Sequence, residues 1–350
     1  MILLTGATGY LGTLLLARLL EEPDGPQILC PVRARDHAAA RARVDAVLGR
    51  IWCDPGADRR RRVIAVPADI CDGVRHPAVR AVTHVVHCAA AVRFDQSQAA
   101  ARHSNVTGTR RVLEMAERAP RLERIVHVST AFVAGRHAGR FLETDLDVGQ
   151  SFRNTYEQTK FEAELLVTER AASGLPVVTA RPSIVMGEAR TGWTTSFNVL
   201  YPPLRAYRRG LLRSAPASPA GLLDIVTGDY VADGLLALLR APRVAGAYHL
   251  VAGAGALTVG RLRELASTTF GRPAVELVEE PAGGGADEVF VPYFDVACRF
   301  DDRRARSVLD PAGVARPAAA DEFAALMRFA DAARWGKRRP VREAVGALAV

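Results

Sequence analysis

Lysine is nearly missing from this 350-residue chain: it occurs only at Lys160 and Lys337, although the net charge is +8. Arginine therefore carries almost all of the positive charge. The basic runs, Arg59 to Arg62 and Lys337 to Arg339, are short. No aromatic residues interleave them as a single-strand nucleic-acid binder would require, so nucleic acid is not expected as a partner. They read as solvated surface, or as a match for an acidic partner such as a phosphorylated substrate or an acidic carrier protein. No run of 18 apolar residues occurs, which excludes a membrane span by hydropathy. A secretion signal is not expected either, because a glycine loop begins at Gly6 where its apolar region would lie. These absences lead to the expectation of a cytoplasmic protein. The five cysteines (Cys30, Cys53, Cys71, Cys88, Cys298) show no C-x-x-C spacing. That argues against a disulfide framework and against a metal site.

What is present is a regular alternation. Apolar strand patterns occur at Met1 to Thr5, Gln27 to Arg33, Arg62 to Asp69, Val82 to Ala90, Arg124 to Thr130 and Pro176 to Pro182. Helical spacing occupies Tyr10 to Glu22, His37 to Arg50, Ala101 to Arg118 and Tyr156 to Ala172. This predicts an α/β fold: a Rossmann-type, doubly wound parallel sheet over residues 1–185. Pro31 weakens the second strand, since proline cannot donate to a ladder. Residues 186–340 are expected to form mainly a smaller C-terminal substrate-binding domain, with 224–251 rejoining the first sheet. Further helices are expected over Val259 to Phe270 and Asp321 to Trp335, with a loop at Pro281 to Glu288 between them.

Thr5, Gly6, Thr8, Gly9, Tyr10, Leu11 and Gly12 form the stretch TGATGYLG between the first strand and the first helix. Glycines at this spacing permit a tight turn and let a pyrophosphate approach the backbone N–H groups of a helix N-terminus. The second strand ends at Arg33, where NAD-specific sheets usually carry an acid for the ribose hydroxyls. An arginine there can fork onto a 2′-phosphate, so NADP(H) is the expected cofactor. Arg43 adds charge or faces solvent, and Asp36 is the competing acid. Asp69 and Ile70, after the third strand, are placed for the adenine. Ala89, Ala90 and Ala91, after the fourth, are small enough for a cofactor to lie over them.

Thr130 ends a strand at the same edge. Tyr156 and Lys160 share one helix face, about 6 Å apart along the axis. A lysine ammonium beside a phenol favours the phenolate and draws its pKa from about 10 toward neutrality. Tyr156 is then an acid or base, Thr130 holds the substrate oxygen, and Lys160 reaches the nicotinamide ribose. His87 and His127, on apolar strands, read as satisfied core residues. Glu162 and Glu164, further along the tyrosine helix, are assigned no catalytic role.

With TGATGYLG, HCAAAVRFD, NVTGT, HVSTAFVAG and YEQTK in this order, the chain resembles the extended short-chain dehydrogenase/reductase superfamily. NTYEQTKFEAE, RPSIVMGE and TGWTTSFN are similar to its thioester reductase and fatty acyl-CoA reductase branch. DIVTGDYVAD departs from the valine-proline pair usual before that aspartate. The resemblance implies that Asn105 helps order the active site, that Ser129 belongs to the cofactor site, and that Pro182, Ser183 and Ile184 touch the nicotinamide end. It implies NADPH-dependent reduction of an acyl thioester, on a carrier protein or coenzyme A, to an aldehyde or alcohol. The chain opens on its first strand, so a carrier-bound substrate is expected to arrive in trans. The stretch Trp193 to Tyr207 would line an acyl channel, or equally pack a core. A carbonyl or alcohol oxidoreductase, a nucleotide-sugar epimerase or dehydratase, and a non-catalytic NADP(H) sensor remain alternatives.

Overall fold

The structure is a computed structural model and describes residues 1–92, 96–278, 293 and 296–348. The sequence's expected loop at 281–288, and Arg93 to Asp95 of the HCAAAVRFD motif, lie outside the described residues.

Seven strands form one parallel sheet: β1 (Ile2–Thr5), β2 (Ile28–Val32), β3 (Val63–Pro67), β4 (His84–His87), β5 (Arg124–Val128), β6 (Val177–Pro182) and β7 (Gly246–Leu250). Their order is β7-β6-β5-β4-β1-β2-β3. β1, β2 and β6 are buried at every residue, as near-continuous apolar runs require when helices cover both faces. The expected doubly wound architecture is therefore the one observed. Chain order reverses between β1 and β4, which opens a crevice at the carboxyl edge between them.

Helices α1 (Tyr10–Glu21), α2 (His37–Ile51) and, later in the chain, Gly228–Arg240 share one apolar core with one face of the sheet. Gly108–Ala116 (α3) and Thr155–Ala172 (α4) cover the other. Gly228–Arg240 is α5; α6 (Val259–Phe270) and α7 (Ala319–Ala332) belong to a second core built around Phe132, Phe141, Tyr201, Leu204, Leu262 and Phe323. Short two-stranded ladders stitch that core together. Ile184–Met186 pairs with Ile225–Thr227, and Gly139–Phe141 with Cys298–Phe300.

Pro31 lies inside β2 after all. β1 and β2 pair only at Ile2↔Ile28 and Leu3↔Leu29, so the proline falls where β2 has parted from β1 and faces only β3. The single helix expected over Ala101 to Arg118 is broken. It runs as Gln98–Arg102, a wide π-helical turn at His103–Thr107, and α3. Among the described residues, no helix is long and apolar enough to cross a membrane.

Candidate active site

β1 delivers the chain into the glycine loop. Gly6 has φ +73°, and a Cβ there would lie 2.8 Å from the Ala89 nitrogen. A Cβ on Gly12 would lie 2.1 Å from the Gly6 carbonyl oxygen. The loop is thus folded tightly on itself and against the end of β4, which only glycine permits. Gly9 caps α1 without any side-chain hydrogen bond. The first-turn N–H groups of Tyr10, Leu11 and Gly12 therefore face the crevice mouth with no side-chain acceptor, at the positive end of the helix dipole. Thr8 is half-buried and Gly9 exposed beside them. This arrangement fits a dinucleotide pyrophosphate.

Other loop residues are spent inside the protein, contrary to expectation. The Thr5 hydroxyl pairs with His87 Nδ1 at 2.7 Å and accepts from the Ala89 N–H at 3.2 Å. It holds β4's end in place. The Tyr10 hydroxyl donates to the Trp193 carbonyl at 3.1 Å, and its ring packs on Trp193. Only its backbone N–H remains at the loop. Leu11 is half-buried against the first core.

At the far side of the crevice, Arg33 and Arg43 are both exposed, and the Arg43 guanidinium donates to the Arg33 carbonyl at 2.7 Å. Both arginines therefore occupy one corner. The competing acid is engaged. Asp36 caps α2 by accepting from the Ala39 N–H at 2.7 Å, and it pairs with Arg35 at 3.1 Å. Asp69 accepts from the Cys71 N–H at 2.9 Å, and Ile70 lies against Gly108 at the start of α3. Ala89, Ala90 and Ala91 are half-buried along the crevice.

Asn105 sits in the wide turn before α3 and is fully buried. Its Oδ1 accepts from the Ala91 N–H at 2.7 Å, and its Nδ2 donates to Thr159 Oγ1 at 3.0 Å and to the Ala91 carbonyl at 3.3 Å. It clamps the chain after β4 to α4, between Tyr156 and Lys160. A π turn carries an extra residue, which rotates a side chain off the regular helical face.

Thr130, Tyr156 and Lys160 do converge. Thr130 follows β5, is buried, and donates to the Pro182 carbonyl at 3.3 Å. Thr130 also acts on the Tyr156 phenol, drawing its pKa down. Lys160 is buried, and its Nζ donates to the Val128 carbonyl at 2.8 Å. The expected acidification of the phenol is not observed. Burial pushes Tyr156 up to about 12, against the lowering effect of the Thr130 hydrogen bond, and Lys160 is not among the groups that act on it. Burial instead brings Lys160 itself down to about 8.

Two more expected contacts turn inward. The Ser129 hydroxyl donates to Glu164 Oε2 at 2.5 Å. The Ser183 hydroxyl donates to Asp224 at 2.5 Å, and Asp224 also accepts from the Ala252 and Gly253 N–H groups. Both serine hydroxyl protons are thus engaged within the protein. Pro182 presents its carbonyl to Thr130, and Ile184 is buried in the second core. Trp193, Leu200, Tyr201, Leu204 and Tyr207 are buried, so of the two readings of that stretch the core is the one observed.

His87 bridges Thr5 and Thr109 Oγ1, the latter at 3.0 Å, and burial holds it down to about 3. His127 differs from the expectation of a satisfied residue: neither ring nitrogen has a hydrogen-bond partner. Both histidines stay neutral because charging them without water, beside Lys160, is costly. Glu164, given no role from the sequence, has a place in the site. It continues the Tyr156–Lys160 stripe by one more helical turn, which was the available signal, and it is buried against Arg181, with Nη2 to Oε1 at 2.6 Å.

Residues 4–235 match the NAD-binding family described as male sterility protein. The chain belongs to this family. It is 35% identical over 214 residues to the isonitrile lipopeptide synthase of Streptomyces coeruleorubidus, covering 59% of this chain and 14% of that protein. It is 30% identical over 277 residues to human fatty acyl-CoA reductase 1, covering 67% of this chain and 53% of that one. The chain thus spans about half, or much less, of the curated relatives it matches. Among solved structures, the terminal R domain from the myxalamid PKS-NRPS biosynthetic pathway superposes with a TM-score of 0.81 at 25% identity. That likeness covers 97% of this chain and 92% of the R domain. A nicotinamide-dinucleotide domain of the extended short-chain dehydrogenase/reductase type is therefore established for this fold.

Proposed function

We propose that this family member is an NADPH-dependent reductase of acyl thioesters, taking a carrier- or coenzyme A-bound acyl group to the aldehyde, or to the alcohol after a second round. The observation that carries this reading is that α4 brings Tyr156 under the influence of Thr130, just past β5, and ties Lys160 to the Val128 carbonyl of that strand. The names of the relatives, fatty acyl-CoA reductase and a reductase domain of a peptide-polyketide pathway, supply the substrate class. In this reading residues 1–185, joined by β7, hold the cofactor, and 186–340 mainly hold the substrate.

NADPH, when bound, supplies the hydride to the thioester carbonyl carbon. Thr130 donates a hydrogen bond to the carbonyl oxygen, and the Tyr156 phenol gives that oxygen its proton. Its raised pKa suits this direction, because the group must enter the step protonated. Lys160, held at the Val128 carbonyl, is the cation kept for the nicotinamide ribose. The resulting hemithioacetal breaks its C–S bond, the hydroxyl proton passes to the sulfur, and aldehyde and thiol leave. A chain of net charge +8 suits an acidic carrier protein or the phosphates of coenzyme A.

The test is NADPH oxidation against acyl-carrier and acyl-CoA thioesters, aldehydes and ketones, with product identification. Thioester turnover is expected. Turnover of free carbonyls alone would replace this reading with that of a carbonyl reductase. For the cofactor, the paired exposure of Arg33 and Arg43, with Asp36 spent as a helix cap, favours a 2′-phosphate. Arg33→Ser is expected to lower kcat/KM for NADPH by roughly tenfold or more, the worth of a charge-assisted hydrogen bond, and to leave NADH use little changed. Equal losses with both cofactors would refute the phosphate contact.

A further inference from the structure

We propose that Glu164 is the positioning residue of the catalytic group: its carboxylate ties α4 to the ends of β5 and β6, and it stands one helical turn from Lys160 on the same helix face. This rests on the reading of Thr130, Tyr156 and Lys160 given above.

Tyr156, Lys160 and Glu164 follow one another at four-residue steps along α4, so they lie on one stripe facing β5. Each meets a different residue at the β5 end. Tyr156 meets Thr130, Lys160 meets the Val128 carbonyl at 2.8 Å, and Glu164 meets the Ser129 hydroxyl at 2.5 Å. The other carboxylate oxygen takes both Nε and Nη2 of Arg181, at 2.8 and 2.6 Å. Arg181 directly precedes Pro182, whose carbonyl receives the Thr130 hydroxyl. One carboxylate thus fixes the residue before Thr130 and the residue before Thr130's acceptor. Arg181 is held in turn by His249 Nε2 at 3.2 Å and by the Phe141 ring. Glu164 and Arg181 are both almost wholly buried, so water cannot replace any of these partners.

An ion pair serving only to fill the core would need no third partner, and apolar residues of similar volume often serve as well. The Ser129 leg is what points to alignment. The electrostatics agree with it. Lys160 is faced by Glu164 from its own helix, by Cys88 and His87 from the end of β4, and by His127 from β5. Burial pushes the Cys88 thiol up to about 12, and both histidines are neutral. Glu164 is the one carboxyl group among these. It is also the strongest influence opposing the desolvation of Lys160.

The scarcity of lysine makes the test direct. The full chain, labelled with 13Cε-lysine, should give two lysine signals, with Lys337→Arg assigning them. Lys160 is expected to titrate near 8, and in Glu164→Gln its midpoint should fall by about one unit or more. Ser129→Ala should leave the midpoint unchanged and lower kcat roughly tenfold, with KM for NADPH unaltered, on whichever carbonyl substrate the unaltered protein reduces. An unshifted Lys160 midpoint in folded Glu164→Gln overturns the proposal, and so does unaltered kcat in Ser129→Ala. Should Glu164→Gln alone fail to fold around an unpaired Arg181, the double variant Glu164→Gln/Arg181→Met is read for the same midpoint. The titration needs no substrate. A chain inactive on thioesters would therefore sink the proposed function and leave this inference to be decided by the lysine signal.

Discussion

Tyr156→Phe is expected to lower reductive turnover by about 10²- to 10⁴-fold, the usual worth of a positioned proton donor. Nucleotide affinity should stay within a few-fold of the unaltered protein, because the substitution removes only the hydroxyl and leaves the glycine loop's backbone N–H groups in place. Steady-state NADPH oxidation gives the first quantity, and a fluorescence titration of NADPH the second. The pH dependence follows from the directions of the shifts. The phenol, raised to about 12, remains protonated through the neutral range and imposes no alkaline limb there. Lys160, lowered to about 8, is charged below that pH and loses its proton above it. Turnover should therefore hold from neutral down and fall as pH rises through about 8. A variant with near-unaltered turnover would remove the phenol from the mechanism, and a rate rising through that window would remove the lysine.

Gly12→Ala should damage both stability and cofactor binding. Its Cβ would stand 2.1 Å from the Gly6 carbonyl oxygen and 2.8 Å from the Ala7 Cα, both backbone atoms that cannot swing aside. The loop must move, at a cost of about 1–3 kcal/mol for overpacking alone. With it move the N–H groups of the first turn. Losing two charge-assisted hydrogen bonds to a pyrophosphate, at about 1.5 kcal/mol or more each, weakens binding by roughly 100-fold or more. Gly9→Ala is the informative partner. Its Cβ meets only the Gly6 oxygen, at 3.3 Å, and the residue is exposed. Stability should change little there, while affinity falls because the methyl faces the ligand. Thermal unfolding and NADPH titration of both variants separate the two effects. Equal stability losses would contradict this division of roles between the glycines.

The fold was largely legible in the chain because its signals are local. Apolar runs of four to six residues between helical stripes define a parallel sheet, and β1, β2 and β6 carry that pattern without interruption. The break at His103–Thr107 was not legible. Periodicity assumes 3.6 residues per turn, and one wide turn leaves the apolar stripe on either side intact. The site was legible in part. The glycine loop and the Tyr156–Lys160 step are short-range patterns, and the structure brings Thr130 to them. Thr5, Tyr10, Ser129 and Ser183 were read as cofactor contacts from their places in motifs. Each spends its hydroxyl on a partner 35 to 183 residues away.

By itself the sequence determined the parallel α/β sheet, the backbone cradle for a pyrophosphate and the spacing of phenol and ammonium on one helix. All three depend on backbone sterics and on repeats a few residues long. Only the tertiary structure decided which hydroxyls are engaged within the protein, that burial raises the Tyr156 phenol, and that Glu164 is buried against Ser129 and Arg181. Those outcomes depend on desolvation and on hydrogen-bond partners from distant strands, which exist only once the sheet has closed over them.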